Sequence, residues 1–190
     1  MTFNVPVVSY RKKQKGRNSF MDNRILILGN VVSFIGALVM VSIGLLKKKK
    51  HILIAQCFMF GILGAGNFIL SGITGAVANW VSIIRNLLCL KIKFDTKWKF
   101  GFIAVQIIMG LLLGTTGIIA WLPLLAACVF TWFLDTTDEK VLKVIIIIGQ
   151  ILWAAYDISI RNYTSLAFDI FTVISNVIGI IMLKKDAKKV

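Results

Sequence analysis

Nine side chains in this sequence combine chemical capacity with an unusual setting. Asn67, Asn79, Asn86, Asn176 and Gln150 are amides, Asp157 and Asp169 are acids, Arg85 is a base and Trp153 is a ring with a donor; all stand in stretches that are otherwise apolar. Amides donate and accept hydrogen bonds, and an indole offers a flat face with one N–H. An aromatic ring beside converging amides suits recognition of a small polar ligand, flat or sugar-like. It does not suit bond making. No nucleophile stands beside a base, and no glycine-rich loop could cradle a phosphate. Cys57, Cys89 and Cys128 occupy apolar runs without metal-ligand spacing and read as small buried hydrophobes. His51 follows four lysines and reads as an interfacial side chain. The chain is therefore expected to be no enzyme and to need no metal or cofactor.

Spacing organises these residues. At about 100° per residue, positions i, i+4, i+7 and i+11 share one helix face. Gly75, Asn79, Ser82 and Asn86 have that spacing, and so do Ser165, Asp169, Thr172 and Asn176. Gln150, Trp153 and Asp157 share a face of a third helix, and Asn67 belongs to a fourth. Lipid penalises polar stripes, so they must face a bundle interior. Amides and hydroxyls also glue membrane helices together, at about 0.6 kcal/mol each. Ser82 and Thr172 read as such glue, and Gly110 with Gly114 as a small-residue packing pair. An intramembrane acid is costlier and functional by default. Asp169, about 9 Å into its span, is expected to contact substrate or carry a proton; Asp157, nearer a helix end, is either functional or solvated. Arg85 has two readings: it pairs with Asp169, or it snorkels to the headgroups with Lys91 and Lys93. Trp80, Trp121 and Trp132 read as interfacial anchors. The expected binding set is Asn79, Asn86, Trp153, Asp169 and Asn176, with Asn67, Arg85, Gln150 and Asp157 secondary.

The elements that must position these residues are transmembrane helices. Of 190 residues 58% are hydrophobic and only 16% charged, against about 25% charged in a soluble domain. Polar backbone cannot stay unpaired in lipid, and a barrel would show alternating segments of about ten residues. The apolar runs here are continuous and longer. A span needs roughly 17–25 apolar residues, and seven fit: about 25–46, 51–71, 74–92, 100–117, 119–135, 141–159 and 163–183. The break between the fourth and fifth rests on Gly114-Thr115-Thr116-Gly117. Pro123 is expected to kink or unwind the fifth helix without ending it.

Basic residues mark the cytoplasmic side. Seven spans place Lys47 to Lys50, the lysines from Lys91 to Lys99, Lys140, Lys143 and the tail from Lys184 on one side. The expected topology has the C-terminus cytoplasmic and the N-terminus outside, in a bacterial inner membrane. The net charge of +14 is then a topology signal, and nucleic acid is not an expected partner. The expected partners are the lipid bilayer and a small-molecule substrate, and a homo-oligomer is compatible with both. Residues 1–20 oppose this topology, because Arg11, Lys12, Lys13, Lys15 and Arg17 would have to cross. Two readings follow: the basic tail stays inside and the span count is off by one, or the tail is not native sequence and Met21 is the natural start; no apolar core of a signal peptide precedes a cleavage site.

The chain also resembles itself. A shift of 90 residues places the second and third spans on the sixth and seventh. Ala65 then falls on Ala155, Thr74 on Thr164, Ile84 on Ile174 and Asn86 on Asn176, while Asn67 falls on Asp157 and Asn79 on Asp169. Three spans are an odd number, so one intervening helix restores the orientation of the second half. The expected fold is all-α: two parallel triple-helix bundles, 21–93 and 119–184, joined by a linker helix, 94–118, with a basic tail at 185–190. Parallel repeats of this kind are one plan of secondary transporters.

The segment Ile84-Arg85-Asn86-Leu87 with Lys91 and Lys93 resembles the YgjV family of bacterial inner-membrane proteins. So do Leu122-Pro123, Thr131-Trp132, Trp153, Asp169 and Asn176. The resemblance covers roughly residues 25–185. The family is similar in turn to the group holding SWEET sugar transporters, PQ-loop proteins and PnuC vitamin-precursor transporters. It implies two triple-helix bundles with a central site, where Asn86 and Asn176 are placed like an asparagine pair that flanks sugars. The Pro-Gln signature is absent, since Pro123 is followed by Leu124 and the first span has no proline. The expected function is transport of a small polar metabolite bound near the midplane. A non-transporting receptor, like the KDEL receptor of related architecture, or a structural subunit is the alternative.

Overall fold

The computed structural model describes residues 23–43, 49–92, 94–113, 117–136 and 138–186. The basic tail at 1–20, Met21 and Gly114 lie outside them. Seven helices and no strand occur among the described residues. They are α1 (Asn23–Ile43), α2 (Lys49–Ile69), α3 (Ile73–Cys89), α4 (Thr96–Leu112), α5 (Ile118–Trp132), α6 (Glu139–Ile160) and α7 (Tyr163–Asp186). Asp95 caps α4 by accepting from Trp98 N–H, and Asp138 caps α6 by accepting from Lys140 and Val141 N–H. Helix α5 runs through Pro123 and does not end there.

Three helices contain stretches long and apolar enough to cross a bilayer: Asn23–Met40, Lys143–Ile160 and Tyr163–Met182. Leu53–Ile69, Ile73–Cys89 and Ile118–Trp132 are shorter apolar helices. The outer surface is apolar, with Leu112, Ile118 and Phe171 each at least two-thirds exposed.

Short connections make sequential helices antiparallel. One end of the bundle carries the α2–α3 and α6–α7 turns; the other carries the α3–α4 connection with Lys91 and the α5–α6 connection, which leads into Lys140 and Lys143 at the start of α6. Around the bundle, α1 packs on α2, α2 on α3, α3 on α5, α5 on α6, α6 on α7, and α7 back on α1. Six helices thus close a ring. Helix α4 stands outside it, packed on α5 and only lightly on α3. Gly110 makes the α4–α5 contact close: a Cβ there would lie 2.5 Å from the Trp121 ring. Trp121 also packs against Ala78, Leu124 and Ala127 beside Trp153, so it belongs to the core and is not a free interfacial anchor. The α1–α2 contact is equally close, for a Cβ on Gly66 would reach within 2.4 Å of Ser33 Oγ. Small residues at 29, 33, 36 and 37 form that face of α1.

The two turns match each other. Ser71 and Arg161, 90 residues apart, have φ of 62° and 58°. Gly72 N–H bonds Asn67 O at 2.7 Å, and Asn162 N–H bonds Asp157 O at 2.9 Å. Ser71 N–H bonds Phe68 O, and Arg161 N–H bonds Ile158 O. Helices α2 and α3 begin at Lys49 and Ile73, and α6 and α7 begin 90 residues later at Glu139 and Tyr163.

Candidate functional site

A cavity of about 640 Å³ occupies the middle of the ring, within the usual range of roughly 300–1,000 Å³ for small-molecule sites. Every ring helix lines it and α4 does not. Many lining residues pair at the 90-residue offset: Met40 with Phe130, Gln56 with Ile146, Ser82 with Thr172, and Arg85 with Ser175. The cavity lies in the middle and lysine-side parts of the bundle. On α3 it extends to Arg85, about 18 Å from the helix start, and on α2 and α6 it spans Gln56 to Phe60 and Ile146 to Trp153.

Of the five expected binding residues, Asn79, Trp153 and Asn176 line the cavity and Asn86 and Asp169 do not. Asn86 is fully buried; its Oδ1 accepts from Arg85 Nε and Nη2, and its Nδ2 donates to Gln56 Oε1 at 2.9 Å. It supports the wall from behind. Asn176 spends a donor on its own helix, Nδ2 to Thr172 O at 2.8 Å. Asp169 turns toward Asp157: the two carboxyls lie within hydrogen-bonding reach of each other. No donor reaches Asp157 Oδ1 or Asp169 Oδ2 among the described residues. Gln150 lines the cavity, whereas Asn67 and Asp157 lie buried at the turn end.

Arg85 departs from both of its sequence readings. It is 2% exposed, so it does not snorkel, and it makes no ion pair with Asp169. Its Nη1 donates to Thr131 Oγ1 at 3.1 Å, its Nε and Nη2 donate to Asn86 Oδ1, and the guanidinium stands 5.5 Å from the centre of the Phe130 ring. Thr131 is positioned in turn by donating to Ala127 O at 2.6 Å. The cation is thus fixed between α3 and α5 and faces the cavity.

A family model described as a bacterial inner membrane protein, Imp-YgjV, matches residues 27–187. The chain belongs to the YgjV family. No curated relative and no solved structure matches it. The matched segment contains every cavity-lining residue of this YgjV protein and all of the ring except the first turn of α1.

At the turn end, the YgjV chain fills its interior with hydrogen bonds between the first three and the last two helices. Asn162 Nδ2 donates to Asn67 Oδ1 at 3.0 Å. The Tyr156 hydroxyl accepts from Gly75 N–H at 3.0 Å and from Thr74 Oγ1 at 3.2 Å. Asn30 donates to Arg161 O and accepts from Thr164 N–H, which caps the start of α7. Asn30 and Gln56 are lone amides in apolar runs, so the rule that singled out Asn67 also applied to them. Tyr156 and Thr131 carry no such signal, since tyrosine and threonine are ordinary in membrane helices. Tyr156→Phe keeps the ring against Gly75 but orphans a helix-start N–H. It is expected to destabilise the protein by about 1–3 kcal/mol, read as a lower melting temperature in detergent; an unchanged melting curve would show that the hydroxyl contributes nothing.

Proposed function

We propose that the protein is a transporter or facilitator of a small polar metabolite, bound in the cavity at the centre of the ring. The observation that carries this reading is the cavity's construction: α1–α3 and α5–α7 contribute lining residues at a constant 90-residue offset. The matching turns at Ser71 and Arg161 support the same division. In this reading α1–α3 and α5–α7 are two parallel bundles, α4 is their linker, and the bundles rock about the cavity. The SWEET-like relation noted in the sequence fits that plan. The lysine end faces the cytoplasm by the charge rule, so the form described here has its cavity on the cytoplasmic side and its outer end closed. Asn79, Gln150, Trp153 and Asn176 contact the substrate, and no bond chemistry is involved.

The test is thermal stability of the purified protein against sugars, nucleosides, vitamins and amino acids. A ligand at a hundred times its Kd adds about 2.7 kcal/mol, a readily measured rise. The rise is expected to be lost in Asn79→Ala and Asn176→Ala, and the same ligand is expected to exchange across proteoliposomes. A ligand that binds but never exchanges would move the assignment to a receptor.

A further inference from the structure

Arg85 is a buried cation that no carboxylate answers among the described residues. Its three hydrogen bonds go to a neutral amide and a hydroxyl. A guanidinium has five N–H groups, so one remains on each terminal nitrogen. Among the described residues no carboxylate lines the cavity. Asp157 and Asp169 are turned to each other at the opposite end, Asp135 is paired with Lys99, and Asp95 and Asp138 cap helices at the lysine end. A membrane-embedded charge left without a partner is expensive and marks a substrate or ion path. A second cation flanks the cavity. Lys143, one turn before Ile146 on the same face of α6, reaches over α7 where Gly179 leaves room; a Cβ there would lie 2.8 Å from its Nζ.

We propose that the cavity binds an organic anion, with Arg85 as its counter-ion. The recognised group is an oxyanion, a carboxylate or a phosphate ester, held by the free N–H pair on the two terminal nitrogens, a fork that matches two oxygens of one group. Gln56, Asn79 and Gln150 meet the ligand's hydroxyls, and Trp153 covers its body. Lys143 draws the anion in from the lysine end. This deepens the transporter reading and rests on it: the anion is the substrate of the same cavity.

The closing experiment uses matched probes that differ in charge: glucose, gluconate and glucose 6-phosphate, and adenosine with adenosine monophosphate. Each is titrated against the purified full-length protein while thermal unfolding is followed. The charged members are expected to bind at least about tenfold more tightly than their neutral partners, the energy scale of a hydrogen bond to a charged group. Gluconate against glucose 6-phosphate separates carboxylate from phosphate recognition. In Arg85→Gln the preference is expected to vanish, and in Arg85→Lys, which keeps the charge but not the fork, to weaken. The comparison in the wild type needs no variant, so it stands even where Arg85→Gln fails to fold. Equal or better binding of the neutral members overturns the anion assignment and leaves the transporter reading intact. An anion preference unchanged in both folded variants overturns the role of Arg85. No shift with any probe, neutral or charged, overturns this proposal and counts against the transporter reading as well.

Discussion

On the transporter reading, joining position 67 to position 162 is expected to stop exchange. Asn67 lies in the last turn of α2 and Asn162 immediately precedes α7, and their amides meet at 3.0 Å in the buried turn end. Together with the Tyr156 contacts to Thr74 and Gly75, this bond closes the ring on that side. A substrate that leaves the cavity toward the turns must part these contacts, because the interior there is filled with buried side chains. Individually each bond is worth only about 1 kcal/mol net, so the closure can open thermally; a covalent link cannot. The experiment places cysteines at 67 and 162 in a background lacking Cys57, Cys89 and Cys128, and joins them with a short, reductively cleavable bifunctional thiol reagent. Exchange of a bound panel member across proteoliposomes is expected to fall to the empty-vesicle level and to recover on cleavage. Full exchange by the linked protein would place the moving parts elsewhere.

Asp169→Asn is expected to raise stability, and Asp169→Leu to lower it. Asp157 and Asp169 are 2% and 7% exposed, with carboxyls in mutual reach and one oxygen on each that no donor meets among the described residues. Two carboxyls have a donor between them only while one of them holds a proton. An amide at 169 supplies N–H donors to Asp157 in the same volume, which is worth about 1–3 kcal/mol. Leucine removes the partner altogether and leaves Asp157 alone in a buried place. Melting temperatures in detergent separate the three forms, in the order asparagine, wild type, leucine. A less stable asparagine variant would mean that the acid pair itself is a favourable contact. The same variant tests the proton role: if Asp169 carries a proton, its exchange no longer responds to an imposed pH gradient.

The membrane character, the helical class and the approximate bounds of seven helices were legible from the chain alone. Continuous apolar runs have few solutions in lipid, and their lengths can be counted. The 90-residue self-likeness was legible too, because rare polar positions recur at one spacing, and the matching turns at Ser71 and Arg161 recur at that spacing. Helical periodicity correctly put Asn79, Trp153 and Asn176 on faces that look inward, since an inward face is the only cheap place for a polar group in a bundle. Periodicity does not say which inward neighbour a side chain meets. Asn86 shares the face of Asn79, yet Arg85 and Gln56 claim its amide. Asp169 shares the face of Asn176, yet Asp157 on α6 draws its carboxyl out of the cavity wall. Arg85 turned inward because Thr131 and Phe130, 45 or more residues away in sequence, stand where its guanidinium can reach them. Which inward polar groups face empty space and which face each other depends on helix rotation and neighbour order. Those are settled only when the ring closes.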